Sequence, residues 1–145
     1  MTRPLRSVVE DVHIHATLPD VRDLIASPLR WAPPAIAEAE GDLDSLAFRL
    51  LLPLRSERAR LARALDETAH VIAFSANGDG GAVRGLTWVV NVEAPREMHL
   101  IAELLYEPAG GPLGWALEEV VHRPSRRQAL RDALWRLKLL AEGRD

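Results

Sequence analysis

Arg63 is the side chain whose placement decides most about chemistry in this sequence. Residues 57–67, "ERARLARALDE", also suit a helix, but their alternation favours a strand. Ala59, Leu61 and Leu65 share one face; Arg58, Arg60 and Ala62 share the other. Arg63 then falls on the apolar face. An unpaired buried guanidinium costs several kcal/mol, against a total stability of about 5–15 kcal/mol for a domain. An inward Arg63 must therefore meet a carboxylate, water, or an anionic or carbonyl group of a ligand. The alternative is a structural ion pair or a reach to solvent.

The other chemical residue types are scattered. His13 and His15 share one strand face and would need a third ligand to hold a metal. That face lies opposite the apolar one, so solvent-facing histidines and no metal site are expected. A Ser/His/Asp triad has no elbow motif behind it. Glu38, Glu40, Asp42 and Asp44 read as a solvated turn. "NGDGG", residues 77–81, has one acid and no calcium-ligand ladder, so it reads as a hairpin turn. Gly110, Gly111 and Gly114 in "YEPAGGPLGW" imitate part of a phosphate loop. No Gly-Lys-Ser/Thr ending or following strand completes such a unit. The stretch reads instead as a joint between a strand and a helix. Arg123, Arg126 and Arg127 read as a solvated basic patch, with an anionic headgroup as the alternative.

Aromatic residues are 5% of the chain and therefore conspicuous. Trp31, Phe48, Phe74, Trp88, Tyr106 and Trp115 are candidates for lining a cavity. Trp88 and Tyr106 carry polar handles that want partners when buried. Trp135 falls on a different helical face from Leu130 and Leu134, as a half-exposed side chain or a dimer contact would.

The elements that must position these residues are set by hydrophobic period. "VVEDVHIHA" (8–16) alternates, with Val12, Ile14 and Ala16 on the buried face. Thr17 suits an N-cap before a short helix bearing Val21, Leu24 and Ile25. Pro28, Pro33 and Pro34 divide the next segment into a second short helix or a loop. Residues 35–106 then read as about six strands joined by short turns, hence an antiparallel sheet. From Leu113 the period becomes helical: Leu113, Leu117, Val120 and Val121, then Leu130, Ala133, Leu134, Leu137 and Ala141. Pro124 predicts a kink or a break there, Ser125 with Gln128 a capping box, and Gly143 a stop. One long helix over one antiparallel sheet is an α+β architecture.

Composition sets the frame. The 145 residues suit one domain, 1–145, with 48% hydrophobic content. A formal charge of −3 argues against a nucleic-acid binder. There is no cysteine, which suits a cytoplasmic protein, and no apolar run long enough for a membrane span. Of the 18 basic residues, Lys138 is the single lysine.

This order of elements resembles the helix-grip fold of the START-related (SRPBCC) superfamily, which includes the polyketide cyclase/dehydrase type. "VVEDVHIHATLPDVRDLI", a tryptophan soon after, and the ending "ALRDALWRLKLLAEG" carry the resemblance. It implies a curved sheet gripping the C-terminal helix, with an apolar cavity between them. It also implies a non-catalytic binder of a lipid- or polyketide-like molecule that uses no cofactor. A polyketide cyclase, aromatase or dehydratase is the alternative. The resemblance maps Arg63 to an inward arginine in a Ser-x-Arg pattern of aromatic polyketide cyclases. It maps Trp31 and Trp88 to two of their tryptophans. Leu61 stands where those enzymes have the serine. A third reading is a protein-interaction module whose cavity has collapsed.

Overall fold

The computed structural model describes residues 5–64, 68, 70–76, 81–108 and 110–143. Strand β1 (Arg6–Ile14) is followed by two short helices, α1 (Leu18–Ile25) and α2 (Pro28–Trp31). Six strands come next: β2 (Ile36–Gly41), β3 (Ser45–Leu52), β4 (Arg55–Arg63), β5 (Val71–Ala76), β6 (Val83–Ala94) and β7 (Glu97–Tyr106). They form one antiparallel sheet in the order β1-β7-β6-β5-β4-β3-β2, curled around a C-terminal helix of 31 residues. The expected α+β helix-grip architecture is present. Two expectations fall on residues outside the described set: the continuation of β4 through 65–67 and most of the 77–81 turn.

Local chemistry explains the early elements. Thr17 caps α1 by accepting from the Asp20 N–H at 3.3 Å. Val12, Ile14 and Ala16 are buried, while His13 and His15 are exposed. Gly41 turns β2 into β3 at φ +137°, where an added Cβ would meet the Ser45 carbonyl oxygen at 2.2 Å.

The C-terminal helix departs from the expected pattern. It is one element in three parts: α3 (Gly111–Leu117), a π-helical turn (Glu118–His122) and α4 (Arg123–Ala141). Pro124 neither breaks it nor starts a second helix. Proline has no N–H and its ring crowds the carbonyl one turn back. The chain widens just before it, and the Arg123 N–H bonds the Glu118 carbonyl, five residues back. Ser125 is no cap: its hydroxyl donates to the Val121 carbonyl at 3.1 Å inside the helix. Gln128 bonds Asp132 instead. The helix does stop where expected, before Gly143 at φ +74°.

The inward face of the first part is also corrected. Leu113 and Val120 are each 75% exposed, and Gly114, Glu118 and His122 are buried in their place. Beyond Arg126 the expected stripe holds: Leu130, Ala133, Leu134 and Leu137 are all buried against the sheet.

Candidate functional site

Two compartments lie between sheet and helix. The first is apolar. Trp31, Phe48, Leu50, Leu86 and Trp88 form its floor and sides, and Ala129, Leu130 and Ala133 of α4 form its roof. Small alanines on the helix leave the gap; larger residues there would close it. The void measures about 10 Å³, room for about one water. Trp31 is fixed by its indole N–H, which donates to the Ile25 carbonyl at 3.2 Å. It meets Trp88 edge to face, with ring centres 5.2 Å apart. Trp88 is fully buried, and its Nε1 has no hydrogen-bond partner among the described residues. A buried orphan donor costs about 1–3 kcal/mol.

The second compartment is ionic and lies beneath the π-helical turn. Arg126, on α4, is fully buried. It forms a two-pronged bond to Glu57 of β4, with Nη2 to Oε2 at 2.8 Å and Nη1 to Oε1. It also donates to Glu118, from Nε to Oε2 at 3.1 Å and from Nη2 to Oε1 at 2.9 Å. Its guanidinium carbon sits 3.7 Å from the centre of the Tyr106 ring. The Tyr106 hydroxyl donates to Glu118 at 2.9 Å. Arg55 supplies a second cation to Glu57 at 2.8 Å. Arg123 reaches the Ser7 carbonyl at 3.1 Å and the Tyr106 oxygen at 3.4 Å. His122 faces the Pro53 carbonyl through Nε2 at 3.1 Å, leaving Nδ1 buried with no hydrogen bond among the described residues.

The electrostatics arise from this packing. Burial raises the Glu118 pKa, but the Arg126 hydrogen bonds and charge outweigh it and hold the carboxyl below its usual range. Burial, then the Glu118 carboxylate, pushes the Tyr106 phenol up. Burial works against the Arg126 charge, and the two glutamates more than offset it. The cluster is a closed set of paired charges that fastens α4 to β4 and β7.

The sequence candidates divide between these places. Trp31, Phe48 and Trp88 meet at the apolar void. Phe74 is buried one strand from Leu86, outside the void's wall. Tyr106 belongs to the ionic cluster. Trp115 is 63% exposed on α3. Arg63 lies on the inner face, in a transverse row of Arg63, Phe74, Leu86 and Leu104. Strand spacing of about 4.8 Å puts it two strands from Leu86, and it does not line the void. Its Nη1 donates to the Leu43 carbonyl at 3.1 Å.

Sequence reasoning missed Glu57, Glu118, His122 and Arg126, and it read Arg126 as solvated. The signal was present. Glu118, His122 and Arg126 recur every four residues, and a π-helical turn aligns that spacing on one face.

A larger depression of about 630 Å³ opens on the outer face of β2–β4 between Glu38, Glu40, Arg58 and Arg60. It is charged and solvent-facing. No helix among the described residues is long and apolar enough to cross a membrane.

No family model matches this chain, and no curated protein matches it. Solved structures do. The KanY protein aligns with a TM-score of 0.75 at 16% identity, over 99% of this chain and 100% of that one. A START superfamily protein from Mycobacterium smegmatis aligns at 0.67 and 14% identity, over 94% and 97%. The Zhui aromatase/cyclase from Streptomyces sp. R1128 aligns at 0.68 and 16% identity, over 94% and 95%. At such identities the likeness establishes the fold, which is the START-type helix grip.

Proposed function

We propose that this helix-grip chain is a binding protein for a hydrophobic small molecule, held between the sheet and α4. The observation that carries this reading is Trp88. Its indole N–H is fully buried and unpartnered, on the wall of an otherwise apolar void. A ligand carbonyl or hydroxyl would satisfy it, and the ligand's apolar body would gain about 25 cal/mol per Å² buried. The void must widen first, because small-molecule sites typically measure about 300–1,000 Å³. The small roof residues Ala129 and Ala133 make outward movement of α4 the route with least to displace. Arg63, in one row with Phe74 and Leu86, would meet a polar or acidic end once the gap extends along that row.

Binding is favoured over catalysis because, among the described residues, none that lines the void ionises. A cyclase or dehydratase needs a proton donor or acceptor within reach of its substrate. The Tyr106 and Glu118 pair is occupied by its own hydrogen bonds. The alternative is an interaction module whose core is already filled around this small void, and one titration separates the two. Calorimetry with an aromatic ketone should show saturable binding to the chain. Trp88→Phe keeps a ring and removes the donor, so ketone affinity should fall about tenfold, while a hydrocarbon of similar size is unaffected. Equal ketone affinity for both proteins would remove Trp88 from the site, and no binding of either compound would favour the filled core.

A further inference from the structure

The outer face of the sheet carries a second group of chemical side chains, facing solvent on the side away from the void. His13 on β1 and His99 on β7 are directly opposed in the strand register. Their rings stack with centres 4.3 Å apart and planes 7° apart. Asp11 lies two residues before His13 on the same face, and its Oδ2 is 2.6 Å from His99 Nε2. Glu93 on β6 holds His13 Nδ1 at 3.0 Å. One ligand atom from each of Asp11, His13 and His99 falls within 4.8 Å of the other two.

We propose that Asp11, His13 and His99 bind a divalent transition-metal ion, with Glu93 orienting His13. Zinc takes imidazole nitrogen at about 2.0–2.1 Å and carboxylate oxygen at about 2.0–2.2 Å, with tetrahedral geometry. Ligand atoms around such an ion stand about 3.3 Å apart, so the side chains must draw together and the two stacked rings must turn until their lone pairs converge. Asp11 and His13 are exposed and His99 is partly so, which leaves the side chains room to turn. The sheet does the rest: cross-strand hydrogen bonds fix the Cα positions of all three residues. A proton on His13 Nδ1, shared with Glu93, leaves Nε2 with a lone pair for the metal. Carboxylate–histidine pairs of this kind orient metal ligands elsewhere. Two imidazoles and one carboxylate select ions such as Zn²⁺, Ni²⁺ or Cu²⁺ over Mg²⁺. Three protein ligands leave the remaining position to water. The site is therefore open, and an exogenous anion or a partner's side chain can complete it.

The test uses the full, tag-free chain and calorimetric titration with zinc chloride, then magnesium chloride. One zinc ion per chain should bind saturably, and magnesium should not compete. His99→Ala and His13→Ala should each weaken zinc binding at least about tenfold, and Glu93→Gln about tenfold by loosening His13. His15→Ala, a nearby exposed histidine outside the cluster, should leave it unchanged. Circular dichroism of each variant establishes that it is folded, as expected for surface substitutions. Absence of saturable zinc binding would overturn the proposal. So would equal zinc affinity in folded His99→Ala, or equal binding of magnesium. None of these outcomes bears on the apolar void, which the zinc titration does not probe.

Discussion

At the residue scale, Arg126 carries the largest consequence. It is buried between two carboxylates and the Tyr106 ring, so removing it leaves the buried Glu118 without its cation and Glu57 with Arg55 alone. Arg126→Met should destabilise the fold by about 3–5 kcal/mol, read as a lower urea midpoint. The triple change Arg126→Met, Glu57→Gln and Glu118→Gln removes all three charges and should recover part of that loss. A single substitution as mild as the triple one would mean that the cluster is not tightly coupled. The pH dependence has a definite sign. The folded-state pKa of Glu118 is lowered, so its stabilisation is complete above the ordinary carboxylate range and is lost as pH falls through and below that range. Glu118→Gln should flatten the acid limb of the stability–pH curve; an unchanged slope there would contradict the assignment. Trp31 and Trp88 were legible in the sequence because tryptophan on a buried face has few other fates. Arg126 was not, because its only mark among the three arginines is a four-residue spacing from Glu118 and His122, which lines up on one face through a π-helical turn that the sequence does not announce.

At the element scale, the π-helical turn explains why a helix with proline at 124 stays continuous and why its polar stripe faces in. Pro124→Ala restores the missing N–H and relieves the crowding that the wider turn accommodates. Helix content should not fall, and hydrogen exchange around residues 118–122 should slow. Faster exchange would show that the turn does not depend on the proline. Gly111 opens the helix at φ +79° with nothing within 4 Å of an added Cβ. Strain rather than space opposes a side chain there, so Gly111→Ala should stiffen or displace α3. With Gly110→Ala it should slow ligand exchange, as measured by stopped-flow displacement; an unchanged rate would detach α3 from gating. The strands and their faces were readable because period two survives wherever one face is buried. The first helical turns were misread for a physical reason. Leu113, Leu117 and Val120 give an apolar period, but the widened turn and the buried charges rotate that stripe to solvent.

At the scale of the whole molecule, the architecture was readable from element order: one run of antiparallel strands and one long helix admit few ways to bury both apolar faces. What occupies the interface was not, because cavity size depends on residues that sequence pattern treats alike, such as Ala129 and Ala133 opposite Trp88. The central claim is that this interface opens to hold an apolar molecule. Native mass spectrometry tests it most directly, after exposing the chain and its Ala133→Leu variant to a mixture of fatty acids, sterols and aromatic ketones. The prediction is one retained ligand per chain, with retention lost or strongly reduced when leucine fills the space beneath α4. A chain that retains nothing, or a folded Ala133→Leu variant that retains the same ligand equally well, would contradict it.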